Sequence, residues 1–160
     1  MLTKRIAVVF ITVLAVALLT LVVGSPSSQG QGGERAPGLE GSWLVTVNHP
    51  TRPTFQALTT YAAGGALVVT DGSLPPSQLT SGHGSWVHTR DHTYAFTFVE
   101  FLFDPTGVRV GSVRIRETLT LERGGDAYNG NFTNEVLDLD GNVLVSGSGG
   151  TTHATRITAE

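Results

Sequence analysis

Residues 93–122 read TYAFTFVEFLFDPTGVRVGSVRIRETLTLE and contain two alternating apolar segments on either side of a short turn. Apolar side chains recur at every second position in both segments, which is the period of a β-strand with one buried face. The intervening residues 104–107 read DPTG and are of types that favour a tight turn. The stretch therefore predicts an antiparallel hairpin with strands Thr93–Phe103 and Val108–Glu122.

The same alternation extends in both directions from this hairpin through residues 39–160. Eight predicted strands follow one another, joined mostly by short turns, and such a meander can remove its exposed edges by closing into a barrel. We therefore predict an all-β fold, an eight-stranded antiparallel up-and-down barrel, with an open sandwich of the same strands as the alternative. The six predicted strands outside the hairpin are Ser42–Asn48, Thr54–Tyr61, Ala66–Thr70, Ser85–Thr89, Ala127–Asp138 and Val143–Ile157.

A hydrophobic targeting segment, residues 1–24, precedes the predicted barrel. Lys4 and Arg5 form a short basic region, and 18 uncharged, mostly apolar residues follow from Ile6 to Val23. This pattern is typical of a secretory signal peptide, and its length also just reaches that of a membrane anchor. Both interpretations place the barrel outside the cytoplasm, in contact with a membrane only through this segment if it stays uncleaved. Residues 25–38, rich in serine and glycine, are predicted to be a disordered linker.

The composition argues against several classes of chemistry. The chain has no cysteine, so it forms no disulfide, thiolate nucleophile or cysteine-type zinc site. Its only lysine is Lys4, so a barrel without the targeting segment has no lysine for Schiff-base catalysis. Without residues 1–24 the chain has 8 arginines against 13 acidic residues, a net charge of −5, which argues against a nucleic-acid partner. We predict no cofactor, and the oligomeric state stays open.

The first predicted strand begins at Gly41-Ser42-Trp43, and Arg156 lies near the end of the last one. In these residues the chain resembles the lipocalin and calycin barrels, whose first strand carries a G-x-W motif at this place. In that family a late arginine packs on the tryptophan, so the resemblance implies a cation–π contact of Arg156 with Trp43 that closes the barrel base. The chain looks most like short exported calycin-like proteins of bacteria. It differs from lipocalins in having no T-D-Y motif, no cysteine pair and no predicted helix after the barrel.

An aromatic face is the strongest candidate for a binding site in the predicted lumen. Tyr94, Phe96 and Phe98 alternate along one strand, so they share a face and are predicted to point inward. Trp86 and His88 share the inward face of the preceding strand. An eight-stranded barrel leaves room for side chains or for one small ligand. A hollow lumen predicts a mostly apolar cavity of at least about 300 Å³.

Two glutamates, Glu100 and Glu117, are in phase with the inward apolar residues of the hairpin and complete the candidate ligand-binding set. Glu100 is expected to lie with His88 toward one mouth of the barrel. If Asp104 pairs with Gly107, the glutamates are six residues apart along the ladder, about 20 Å, which is too far for an acid–base pair. A bulge at Gly107 would instead shift the pairing by one residue. Because buried carboxylates are rare unless paired, each glutamate is expected near a rim, in solvent or beside an arginine.

The leading functional interpretation is a non-enzymatic barrel that binds a small apolar or amphipathic molecule, with no catalytic residue assigned. The alternatives are a barrel cyclase or isomerase with Glu100 or His88 as general base, and a structural or interaction domain with a filled core. A weaker similarity to allene oxide cyclase and dirigent barrels rests on the glycine-rich residues 146–150. No metal site is predicted, because strand parity and a turn separate His83, His88 and His92.

Overall fold

The structure, a computed structural model, describes residues 38–147 and 149–160. The predicted targeting segment, residues 1–24, and nearly all of the predicted linker lie outside the described residues. Within the described ranges, no helix is long and apolar enough to span a membrane. The strands are β1 (Gly41–Asn48), β2 (Phe55–Tyr61), β3 (Ala66–Asp71), β4 (Gly82–Arg90), β5 (Thr93–Phe103), β6 (Arg109–Leu121), β7 (Ala127–Leu137), β8 (Val143–Ser146) and β9 (Gly150–Ile157).

The strands close into a barrel. Each strand from β1 to β7 pairs antiparallel with the next, and β9 pairs with both β1 and β7. β8 and β9 pair with successive parts of β7, Glu135–Leu137 and Ala127–Phe132, so together they serve as one barrel strand. The predicted eight-stranded antiparallel barrel is therefore confirmed, except that its last strand, Val143–Ile157, is interrupted between Ser146 and Gly150.

The interruption has a local cause at Gly149. This residue has a φ of +69°, a left-handed conformation that favours glycine, and a Cβ there would collide with the carbonyl oxygen of Phe132. Between the Phe132–Gly150 and Glu135–Ser146 pairs, the β8–β9 side carries one more residue than β7. The glycine-rich segment therefore makes a bulge that divides the strand.

β4 begins three residues before the predicted start at Ser85. Gly82 and Gly84, which the sequence pattern assigned to a loop, pair with residues of β3. A Cβ on either glycine would collide with Phe98 of the neighbouring strand. These glycines are strand residues that leave space inside the barrel for a large side chain.

The β5–β6 hairpin has the predicted inward faces but a different register. Glu117 pairs with Phe96 rather than with Tyr94, which is a shift of two residues from the predicted pairing. A bulge between Leu102 and Phe103 changes the register close to the turn. Because the shift is even, it leaves the same side chains pointing inward, and only their position along the neighbouring strand changes.

The start of β1 and the end of β9 meet at one end of the barrel, which we call the base. Trp43 is fully buried there, and its Nε1 donates a hydrogen bond to the Leu39 carbonyl at 3.0 Å. The guanidinium of Arg156 lies over the indole ring, 4.2 Å from its centroid, so the predicted packing of Arg156 on Trp43 is confirmed. The same guanidinium donates to three backbone carbonyls, those of Gly38, Glu40 and Gly125, at 2.7, 2.6 and 2.8 Å.

The opposite end of the barrel, the mouth, carries the β1–β2 and β3–β4 loops. The β3–β4 loop lies along the end of β5, where the Thr80 amide donates to the Phe101 carbonyl at 3.1 Å and the Phe103 amide to the Gln78 carbonyl at 3.0 Å. Leu79 is buried between these two hydrogen bonds. The loop is thus fastened to the barrel wall and contributes apolar surface to the mouth.

Candidate functional site

A cavity of about 130 Å³ lies inside the barrel and extends to the mouth. Phe96 and Phe98 line it from β5, Leu74 and Leu79 line it from the β3–β4 loop, and Arg52 is exposed at its outer end. The volume is smaller than the roughly 300 Å³ predicted for a hollow lumen. An apolar cavity of about 150 Å³ is large enough for benzene, so the space suits a molecule of about that size.

Trp86 and Tyr94 explain why the cavity is small. Both side chains point inward and are buried as predicted, but they do not line the cavity. Their ring centroids are 5.8 Å apart, and Trp86 Nε1 donates to the Ala62 carbonyl at 3.0 Å. The two rings fill the lumen near the base, so the structure places them in the core and not in a ligand-binding wall.

His88 lies outside the cavity, exposed at the end of β4 that is nearest to the base. Its Nε2 donates to the Asp91 carbonyl in the β4–β5 turn at 2.7 Å. The expectation that His88 and Glu100 share one mouth is wrong. His88 pairs with Tyr94, and Glu100 lies six residues further along β5, toward the other end of the barrel. His88 is therefore in no position to act as a base on a molecule in the cavity.

Glu100 points into the cavity, and only 2 % of its surface is exposed. Its Oε1 has no hydrogen-bond partner among the described residues. Burial, reinforced by the nearby charge of Asp71, raises the pKa of Glu100 to about 8, so the carboxyl group is mostly protonated at neutral pH. The expectation of a rim glutamate in solvent or beside an arginine is wrong, because Gly82 leaves the space that the Glu100 stem occupies.

Glu117 is also buried and lines the cavity wall. The Thr152 hydroxyl donates to its Oε1, and the carboxyl group lies over Gly130, where a Cβ would collide with it. Burial raises the pKa of Glu117 to about 7, although the hydrogen bond from Thr152 lowers it in part. Burial also raises the pKa of Tyr128, whose hydroxyl lies 3.3 Å from that of Tyr61. The rim position expected for Glu117 is therefore wrong as well.

The two glutamates occupy separate parts of the cavity. Glu100 pairs with Val113, so it is four residues from Glu117 along β6, about 13 Å. This is closer than the six residues predicted from sequence, because of the register shift, but still too far for an acid–base pair. One carboxyl group is thus held by a threonine, and the other has a free oxygen.

These residues belong to a closed antiparallel barrel that is compatible with a calycin-like fold. Comparisons with protein-family models, curated proteins and solved structures find no match for this chain. A functional proposal therefore rests on the cavity and its side chains. In the part of the chain that the structure describes, no three histidine, aspartate or glutamate side chains lie close enough together to hold a metal ion.

Several polar residues outside the predicted set also line the cavity, among them Asp71, Asn134 and Thr152. Asn134 Oδ1 is buried without a hydrogen-bond partner among the described residues. Asn134 lies two residues after the buried Phe132, and Thr152 lies two residues before the buried Ala154. The period of two therefore predicts that both side chains point inward, but they were not recognised because they are polar.

Proposed function

We propose that this protein is a lipocalin-like binding barrel that holds one small, mostly apolar molecule in its lumen. The observation that carries the proposal is the cavity of about 130 Å³ that extends to the mouth between apolar walls. A barrel whose role was purely structural would gain stability by filling such a space, because an empty apolar cavity costs free energy in proportion to its size. The aromatic walls and the few polar groups match the usual composition of a ligand pocket.

The closed base supports the lipocalin-like character of the proposal. Arg156 over Trp43 ties the last strand to the first in the way that the resemblance implies, at the end of the barrel opposite to the mouth. The enzymatic alternative has less support. His88 is exposed outside the cavity, and the two glutamates are too far apart to act as a pair, so only a single carboxyl group would be left to act as an acid or base.

Benzene is the simplest probe of the cavity. We expect saturating benzene to raise the melting temperature by about 4 °C or more, because a ligand that binds only the folded state stabilises it by mass action. Ala57 is buried and lines the cavity, so Ala57→Leu should fill the space and abolish the shift. Gln56→Leu adds an apolar side chain at the adjacent exposed position and should keep it. An equal shift in the Ala57→Leu variant, or none in the unmodified protein, would contradict binding in the lumen.

We further propose that the barrel is exported by means of residues 1–24 and works outside the cytoplasm. The support is the basic pair Lys4-Arg5 followed by the uncharged run Ile6–Val23. We expect the intact mass of the protein recovered outside the cytoplasm to correspond to a chain that begins at Ser25. A mass that includes residues 1–24 would contradict cleavage and favour the membrane anchor. Recovery of the protein from the cytoplasm alone would contradict export.

A further inference from the structure

Glu100 is one of two cavity-lining residues, with Asn134, that have a buried side-chain oxygen without a hydrogen-bond partner among the described residues. Its side chain is 2 % exposed, and its Oε1 accepts no hydrogen bond within the described residues. Burying a carboxyl oxygen without a hydrogen-bond partner from the protein costs free energy, because burial takes the group out of bulk water. The cavity lies directly beside the carboxyl group, so a hydrogen-bond donor on a bound molecule would have both the space and the acceptor.

The charges around the cavity favour a positively charged donor. Besides Glu100, it is lined by the acidic side chains of Asp71 from β3 and Glu117 from β6. Its basic side chains, His49 and Arg52, belong to the β1–β2 loop at the mouth. No ion pair joins Glu100 to a basic side chain of the described residues. A bound cation gains a counter-ion when one of these carboxyl groups loses its proton, whereas a carboxylate such as that of a fatty acid would gain none.

The apolar part of the cavity determines the character and size of the ligand apart from its charged group. Phe98 lies two residues before Glu100 on the same inward face and lines the same cavity. The face of an aromatic ring attracts a cation as well as an apolar group. The volume of about 130 Å³ admits a body about as large as one six-membered ring.

We propose that the lumen binds small apolar molecules that carry one primary ammonium group, with the Glu100 carboxylate as the counter-ion. This inference rests on the proposed binding function and specifies its ligand class. Because burial holds a proton on Glu100 up to a pKa of about 8, the ammonium displaces that proton as it binds. Affinity for the amine should therefore rise by up to about tenfold per pH unit between pH 6 and pH 8.

Benzylamine and its neutral analogue benzyl alcohol provide the test, titrated into the purified protein by calorimetry at pH 6, 7 and 8. At pH 8 we expect benzylamine to bind at least tenfold more tightly than benzyl alcohol, with a smaller difference at pH 6. At pH 7, titrations in buffers of different ionisation enthalpy should show close to one proton released per benzylamine and none per benzyl alcohol. This proton count needs no variant, so it does not depend on the folding of a mutant.

Two matched variants locate the effect. Glu100→Gln should abolish the preference for benzylamine and keep the binding of benzyl alcohol, whereas Glu122→Gln, at an exposed position outside the barrel, should keep both. Equal binding of both probes without proton release would overturn the ammonium inference and leave the proposed function standing. If neither probe binds, the proposed function itself fails.

Discussion

The free energy of unfolding is expected to fall by several kcal/mol as the pH rises from 5 to 8, whereas many proteins are most stable within this range. The cause is the pair of buried carboxyl groups, Glu100 and Glu117, whose pKa values rise from 4.5 to about 8 and about 7. The folded state keeps both protons in this range, and the unfolded chain has already lost them. Each group therefore contributes a decrease of about 1.4 kcal/mol per pH unit until the pH reaches its folded pKa.

Stability falls as the pH rises because the folded state binds these two protons more tightly than the unfolded chain does. Below pH 4.5 both states carry the protons, so the contribution of these groups to stability is fully present. It is lost as the pH rises through the two folded values. Asp104 and Asp138 have lowered pKa values, because hydrogen bonds from Thr106 and Asn142, respectively, favour their charged forms. They therefore act only at more acidic pH and do not mask the effect.

Urea unfolding at pH 5, 6, 7 and 8 measures this dependence. The double variant Glu100→Gln/Glu117→Gln should show a much flatter profile, because an amide does not titrate. Glu122→Gln, which changes an exposed glutamate of the β6–β7 turn, should follow the unmodified protein. Stability that stays constant or increases from pH 5 to pH 8 would show that the buried carboxyl groups are not protonated in the folded state.

Replacement of Arg156 by alanine is expected to lower the free energy of unfolding by about 3 kcal/mol. The variant loses the cation–π contact with Trp43 and three hydrogen bonds to backbone carbonyls at the base. Hydrogen bonds from a charged donor contribute more than neutral ones, and each carbonyl left without a donor adds to the loss.

Two further substitutions separate the geometry of Arg156 from its charge. Arg156→Lys keeps the charge but lacks the planar fork that reaches several carbonyls at once, so about half of the loss should remain. Arg123→Ala removes an exposed arginine from the β6–β7 turn and should change the stability by less than about 0.5 kcal/mol. If Arg156→Ala is as stable as Arg123→Ala in urea unfolding, the base is not held together by this contact.

Alternation along each strand predicted correctly that the aromatic side chains point inward, although His88, predicted on the same face as Trp86, is exposed. Tyr94, Phe96, Phe98 and Trp86 are all buried, because the period of two follows from strand geometry and does not depend on the partner strand. The turn residues likewise predicted a hairpin at residues 104–107, and the first and last strands were correctly linked through Trp43 and Arg156. The first two features depend only on local sequence, and the third depends on a known sequence motif whose tryptophan and arginine meet in one way.

Depth within the barrel could not be predicted from alternation. His88 and Glu100 were expected at the same mouth, yet they lie toward opposite ends of the barrel, because their position depends on register and on where the barrel ends. The bulge between Leu102 and Phe103 also changed the separation of Glu100 from Glu117. A bulge involves the conformation of two strands at once, so the composition of one turn does not determine it.

The burial of the two glutamates depends on residues from distant parts of the chain. Gly82 makes room for Glu100, and Gly130 makes room for Glu117. In the sequence these glycines resemble turn residues or breaks in a strand, and nothing marks them as neighbours of a carboxyl group. Their role becomes visible only when β4 lies beside β5, and when Glu117 of β6 reaches over Gly130 of β7.

The position of β9 between β1 and β7 has a consequence for how the chain folds. Ser42 pairs with Ile157, so the first strand is held by the last, and until β9 is present both β1 and β7 have unpaired edges. A contact between such distant residues requires closure of a very long loop, which favours slow, all-or-none folding. A partly synthesised chain would then lack a closed barrel until its final strand emerged. A chain that has not closed into a stable barrel can still be threaded through a narrow translocation channel, so this topology would suit the proposed export.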